Sequence, residues 1–247
     1  MSRAIRILIA VASVIALLIV VFLAYAHTVM QGERPEALEA WRDDAVEITS
    51  TETGIVIEPV EGATGEGLVF IPGAKVDPYA YLYKLSGVAE ASGFTVVITK
   101  PTLNLAFFDQ RPLSTFTALA PGVDDWYVGG HSLGGVRACQ LAADGASGAS
   151  DEPVVGLVLF GSYCADDLAE SGPAVLSVAG SNDGLSTPEK VAGAAHLLPA
   201  DAEFVELEGV NHADFGDYGV QPGDGVSTRD DAEVRREIAA AVAAFIG

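Results

Sequence analysis

The stretch WYVGGHSLGG, residues 126–135, sets four glycines around His131 and Ser132 directly after an aromatic and β-branched run. Within it, Gly130-His131-Ser132-Leu133-Gly134 has the spacing G-x-S-x-G, in which a serine on a sharp strand-to-helix turn is presented as a nucleophile. In a chain with 27 glycines the bare pattern carries little weight, and its surroundings decide. A strand-like run precedes it and the helical stretch GVRACQLAAD follows. The glycines remove side chains that would collide in a strained turn, and the helix start brings backbone N–H groups and partial positive charge toward the serine oxygen.

A serine hydroxyl attacks only when a base takes its proton, and that base needs a carboxylate to orient it. There are four histidines. His27 lies beside a long apolar segment, His131 adjoins the serine on a turn where neighbouring side chains point apart, and His196 falls in the helical run PEKVAGAAHLL. His212, in GVNHADFG after the strand-like EFVELEG, is the expected base. Asp183, in AGSNDGLS after the preceding strand-like run, is the expected acid, although Asn-Asp-Gly is also good turn chemistry in its own right. Asp166 and Asp167 are its competitors. The chain order Ser132, Asp183, His212 favours Asp183.

The developing oxyanion calls for two backbone N–H donors. Leu133, directly after the nucleophile, supplies the first. The run GLVFIPGAKVDP suggests the second: Gly73 lets the backbone come close and leaves the amide of Ala74 free to donate, with an ordinary Pro-Gly turn as the plainer reading. Leu103, Leu105, Phe107 and Phe108 in LNLAFF are candidates for an apolar acyl-binding wall, about half of them expected to be packing residues instead.

These residues need a scaffold that brings the ends of separate strands together. VEITS and GIVIEPV read as an antiparallel edge pair. GLVFIPG, FTVVITKP, WYVGG, VVGLVLFGS, AVLSVAGSND and EFVELEG read as buried strands. Helical stretches separate them at residues 78–92, near 112–120 and after Gly135, and RDDAEVRREIAAAVAAFI closes the chain as an amphipathic helix. Apolar strands without alternation, separated by helices, imply a mostly parallel sheet with helices on both faces. Ligands bind such sheets beyond the carboxyl ends of the strands, where each candidate residue falls.

Taken together, IPGAKVDPYAY, PTLNLAFFD, GGHSLGG, AGSNDGLS and GVNHADFGDYG resemble the α/β-hydrolase family, in particular its small, lidless branch near dienelactone-hydrolase-like proteins. The resemblance runs over residues 46–247. It implies the α/β-hydrolase fold and a Ser132/Asp183/His212 enzyme acting on esters or related acyl compounds. Dienelactone hydrolases use cysteine as nucleophile, whereas position 132 is serine, so the substrate named in that label does not carry over. No metal or organic cofactor is required. The run after GHSLGG has no insertion of cap-domain size, which implies a shallow, open site.

The first residues set the compartment. Arg3 and Arg6 precede residues 7–26, an uncharged apolar run of about 20 residues, which at ~1.5 Å per residue spans a ~30 Å hydrocarbon core. The expected layout is a cytoplasmic tail at 1–6, a transmembrane anchor or signal sequence at 7–26, a stalk at 27–45 and the hydrolase domain at 46–247. Ala24-Tyr25-Ala26 would also suit a signal peptidase, which gives secretion as the alternative. Both arginines on the N-terminal side place the domain outside the cytosol. The net charge is −21; the first 26 residues hold two arginines and no acid, so the remainder carries −23, which excludes nucleic acid as a partner. The expected partners are a small ester or lipid-like substrate and the membrane. An oxidising compartment permits a bridge between Cys139 and Cys164, but spacing alone leaves open whether the sulfurs meet. Two other functions remain open: transfer of the acyl group to a cell-envelope acceptor, and a binding or scaffold protein whose site is retired.

Overall fold

The computed structural model describes residues 2–150, 152–170 and 172–247. Eight strands form one sheet: β1 (Val46–Ser50), β2 (Gly54–Pro59), β3 (Glu66–Ile71), β4 (Thr95–Thr99), β5 (Asp125–His131), β6 (Gly156–Phe160), β7 (Ala174–Gly180) and β8 (Glu203–Leu207). Their spatial order is β1-β2-β4-β3-β5-β6-β7-β8. The β1–β2 and β2–β4 pairs are antiparallel, and every other pair is parallel. The helices are α1 (Arg3–His27), α2 (Arg34–Trp41), α3 (Leu82–Ser92), α4 (Ser114–Thr117), α5 (Leu133–Ala146), α6 (Pro188–Ala194) and α7 (Asp231–Ile246).

Two apolar layers, one on each face, explain why the strands carry no polar alternation. Along β3, Leu68 and Phe70 join the layer that α3 and α7 cover through Leu85, Val88, Val234 and Ile238. Val69 and Ile71 point the other way, onto the layer that α5 covers through Ala138, Leu141 and Ala142. A parallel sheet sandwiched in this way leaves its carboxyl edge as the face where loops gather. The connection between β6 and β7, described at residues 161–170 and 172–173, is short and holds no added domain among the described residues.

Cys139 of α5 and Cys164 of the loop after β6 are disulfide-bonded, with Cα atoms 5.5 Å apart and both side chains buried. The bond ties the helix that follows Ser132 to the neighbouring loop. Closing a loop of 25 residues removes unfolded-state entropy worth about 3 kcal/mol. A double Cys139→Ala, Cys164→Ala variant is therefore expected to lower unfolding stability by about that amount in a urea titration.

The segment at 27–45 lies against the domain instead of standing free. The N–H of Met30 donates to the carbonyl of Lys75 at 2.7 Å, and the carbonyl of Met30 accepts from the N–H of Asp77 at 2.9 Å. Ala40 is fully buried under α3 and β1. Polar composition hid this docking, because only a few apolar contacts and the backbone carry it. The helix α1 is long and apolar enough to cross a membrane, and its apolar side chains are exposed along nearly its whole length.

Candidate active site

Ser132 follows the last residue of β5 and adopts φ 52°, ψ −123°, a conformation that costs a non-glycine residue on the order of 1–3 kcal/mol. Close packing enforces it. A Cβ at Gly134 would lie 2.0 Å from the carbonyl oxygen of Ile71, and one at Gly130 2.5 Å from the carbonyl carbon of Gly134. Only glycine lets the start of α5 sit against the ends of β3 and β5. The backbone of Ser132 is held from both sides: its N–H donates to Phe160 at 3.1 Å, and its carbonyl accepts from the Ser162 hydroxyl at 2.7 Å.

Asp183, three residues past β7, and His212, five past β8, meet in the buried interior of the carboxyl edge. His212 Nδ1 lies 2.7 Å from Asp183 Oδ2. The other oxygen, Oδ1, accepts from the N–H groups of Leu185 at 2.8 Å and Ser186 at 2.7 Å. A carboxylate so fixed accepts a hydrogen bond from Nδ1–H, which keeps the proton on that nitrogen and leaves Nε2 with a lone pair. That Nε2 is buried and has no hydrogen-bond partner among the described residues.

Asp224 joins the two loops, and no sequence pattern marked it. Its Oδ1 accepts from the N–H groups of Gly184 and His212, both at 3.1 Å, and its Oδ2 accepts from the N–H of Ala213 at 2.9 Å. Asn182 and Asn211 donate to the carbonyls of Val226 and Gly225, each at 2.9 Å. The stretch at 223–226 thus holds the loops of Asp183 and His212 in register. In the sequence it reads as a glycine-rich lead-in to α7, because its role depends on contacts across 40 residues. Ser162 was likewise unmarked.

His131 is buried, its ring 4.3 Å from that of His212, and its Nδ1 is bonded to the Tyr81 hydroxyl at 2.9 Å. Burial, reinforced by repulsion from His212, holds its pKa well below the ordinary value, so the ring stays neutral. The Tyr81 hydroxyl also accepts the N–H of Gly73 at 2.9 Å, and burial raises its pKa. This places Tyr81 under the loop after β3 and spends the Gly73 amide. The amide of Ala74 makes no hydrogen bond among the described residues, nor does that of Leu133 at the first position of α5. Tyr81→Phe leaves the buried Gly73 N–H unpaired. It is expected to cost about 1–3 kcal/mol in a denaturant titration and to lower turnover by displacing the loop.

The structure puts Leu105 at intermediate exposure, and Phe107 and Phe108 at 46% and 50%, on two short 3-10 turns after β4. Phe108 packs against Phe22 of α1, with ring centroids 5.6 Å apart. His196 is exposed and bonded to its own turn, the carboxylate bonded to the His212 ring is Asp183 rather than Asp166 or Asp167, and His27 caps the end of α1.

The arrangement offers a serine in a strained turn, a buried imidazole–carboxylate pair and two free amides at one sheet edge. Comparison with solved structures finds the same fold in an esterase of the archaeon Pyrobaculum calidifontis, at 16% identity over 91% of each chain with a TM-score of 0.61. It also finds carboxyl esterase 2 of the fungus Tuber melanosporum, at 13% identity over 88% of this chain and 90% of that one, TM-score 0.60. Esterase LipW of Mycobacterium marinum matches at 15% identity over 86% and 84%, TM-score 0.58. At such identities the likeness is one of fold. Comparison with curated protein sequences yields no match. The family model described as "Alpha/beta hydrolase family" matches residues 67–236, from β3 into α7, and this chain belongs to that family.

Proposed function

We propose that the chain is a membrane-anchored serine hydrolase with its domain outside the cytosol, cleaving carboxylic esters through an acyl-enzyme. The observation that carries this reading is the 2.7 Å pairing of His212 Nδ1 with Asp183 Oδ2 at the strand ends beside the strained Ser132 turn. The esterases with which it shares a fold agree with a small ester as substrate. The apolar α1 with both arginines ahead of it supports the anchor, and the Cys139–Cys164 bond is in keeping with an oxidising compartment.

In this mechanism Ser132 Oγ attacks the ester carbonyl carbon while His212 Nε2 takes its proton. The new oxyanion is held by the amides of Leu133 and Ala74. Collapse breaks the bond to the alcohol oxygen, which leaves with the proton returned by His212. Water, deprotonated by the same nitrogen, then attacks the acyl-serine; the acid departs and Ser132 recovers its proton. Asp183 keeps the proton on Nδ1 throughout. The serine and Nε2 come into bonding contact as the substrate is engaged, since catalytic hydrogen bonds tighten in the substrate complex.

The test is labelling of the purified full-length protein with a fluorophosphonate, followed by peptide mass analysis. Modification at Ser132, with none in Ser132→Ala, is the expected result. Equal labelling of the two proteins, or no hydrolysis of any acetate or longer ester, would remove the proposal.

A further inference from the structure

The last turns of α1 do not leave the domain at random: they end on the loops that border the Ser132 site. Asn104 Nδ2 donates to the carbonyl of Ala26 at 3.1 Å, Lys75 Nζ lies 3.7 Å from the centre of the Tyr25 ring, and Phe108 packs on Phe22. Lys75 is the neighbour of Ala74 on the loop after β3, and its N–H takes the carbonyl of Asn104 at 2.8 Å, which joins that loop to the one after β4. Both loops leave the carboxyl edge of the parallel strands, the same edge as Ser132. Among the described residues, the non-glycine positions with positive φ are Lys75, Leu103 and Asn104 on these loops and Ser132 itself. Among the described residues, left-handed strain at non-glycine positions thus falls at the site and where the apolar helix meets it.

Depth follows from helix geometry. Phe22 precedes Ala26 by one turn, about 6 Å along the axis, so in a bilayer whose boundary lies at the end of α1 Phe108 would reach below it, into the zone between headgroups and acyl chains. Tyr25 sits where interfacial aromatic residues collect. Charge agrees. In a chain with 34 acidic residues, 72–76 and 101–108 hold none, and their only charge is Lys75. A bilayer surface meets less repulsion from this face, where the adjoining acids are Asp77 and the Arg111-paired Asp109, than from the strongly acidic rest of the domain.

We propose that the mouth of the Ser132 site faces the leaflet in which α1 ends, and that the substrate is the acyl ester of an amphiphile dissolved in that leaflet. This rests on the hydrolase reading above. With its carbonyl at the amides of Ala74 and Leu133, such an ester keeps its acyl chain beside Leu105 and Phe107 and passes into the bilayer without crossing water. Hydrolysis releases a fatty acid and the amphiphile's alcohol by the steps already given.

The experiment uses the full chain in phosphatidylcholine vesicles. Single-cysteine variants Phe107→Cys and Val60→Cys are labelled with a thiol-reactive fluorophore; the native cysteines are bonded to each other and do not react. Val60 is exposed and follows β2 at the opposite edge of the sheet. Phosphatidylcholine carrying a nitroxide near the headgroup is expected to quench the label at 107 and leave that at 60 bright. Equal quenching at the two sites would overturn the orientation. A long-chain ester dissolved in the vesicles that hold the protein is expected to be cleaved at least about tenfold faster than the same ester in separate vesicles, because the shared leaflet sets a high local concentration. A water-soluble acetate reports the chemistry independently. Cleavage of the acetate with equal rates for the two vesicle arrangements overturns this inference alone; cleavage of neither ester overturns the hydrolase reading and the substrate class with it.

Discussion

Asp183→Asn is expected to lower kcat on an ester by about 10⁴-fold while leaving KM near its original value. The substitution keeps the shape of a buried side chain and its acceptor oxygen toward Leu185 and Ser186. What it changes is the atom facing His212: an amide N–H₂ there donates to Nδ1, so the ring must carry its proton on Nε2, and the base that Ser132 needs is lost. KM is expected to hold because Asp183 is buried and bonded to the His212 ring. Steady-state kinetics on a soluble acetate, alongside circular dichroism to show the fold intact, checks the effect. A kcat within tenfold of wild type would show that the 2.7 Å contact at His212 is structural and that another group orients the base.

What could be read in the sequence was what local chemistry encodes. The turn at Ser132 is legible because a strained strand-to-helix reversal demands glycines at fixed offsets, and the unalternating strands are legible because both faces of a parallel sheet are buried. Asp183 and His212 could be placed because each follows a strand, and strand ends in such a sheet converge. Asp224 could not. Its value lies in accepting amides from two loops at once, a property of tertiary approach that no spacing records. Tyr81 hid for a similar reason, since a tyrosine in a helical run gives no sign that its hydroxyl will meet Gly73 and His131 beneath the loop of Ala74. The docking of residues 27–45 was masked by their polarity. Phe107 and Phe108 read as an acyl wall from composition, but their direction depends on where α1 returns to the domain, which only the fold fixes.

Lys84→Met is the substitution expected to cost most in stability, about 3–5 kcal/mol at pH 8, because it strands a buried carboxylate. Lys84 is fully buried in α3 and donates to Asp217 and Asp231. Asp217 stands five residues past His212; its N–H donates to the carbonyl of Ala80 and its own carbonyl accepts from Glu33, so it fastens the histidine loop to both α3's approach and the segment at 27–45. Burial pushes the Asp217 carboxyl up to about 7, against the opposing pull of Lys84. A carboxyl whose folded pKa lies above its unfolded value binds protons more tightly when folded. Its contribution is therefore fully present below about pH 4 and is lost as pH rises through about 7. Removing Lys84 raises the folded pKa further. The variant's deficit should then be largest above pH 8 and shrink as pH falls toward 4, where Asp217 is protonated in both proteins. Urea titrations of wild type and Lys84→Met at pH 5 and pH 8 read this directly. A deficit of equal size at both pH values would mean that the lost lysine stem, rather than the uncompensated charge on Asp217, sets the cost.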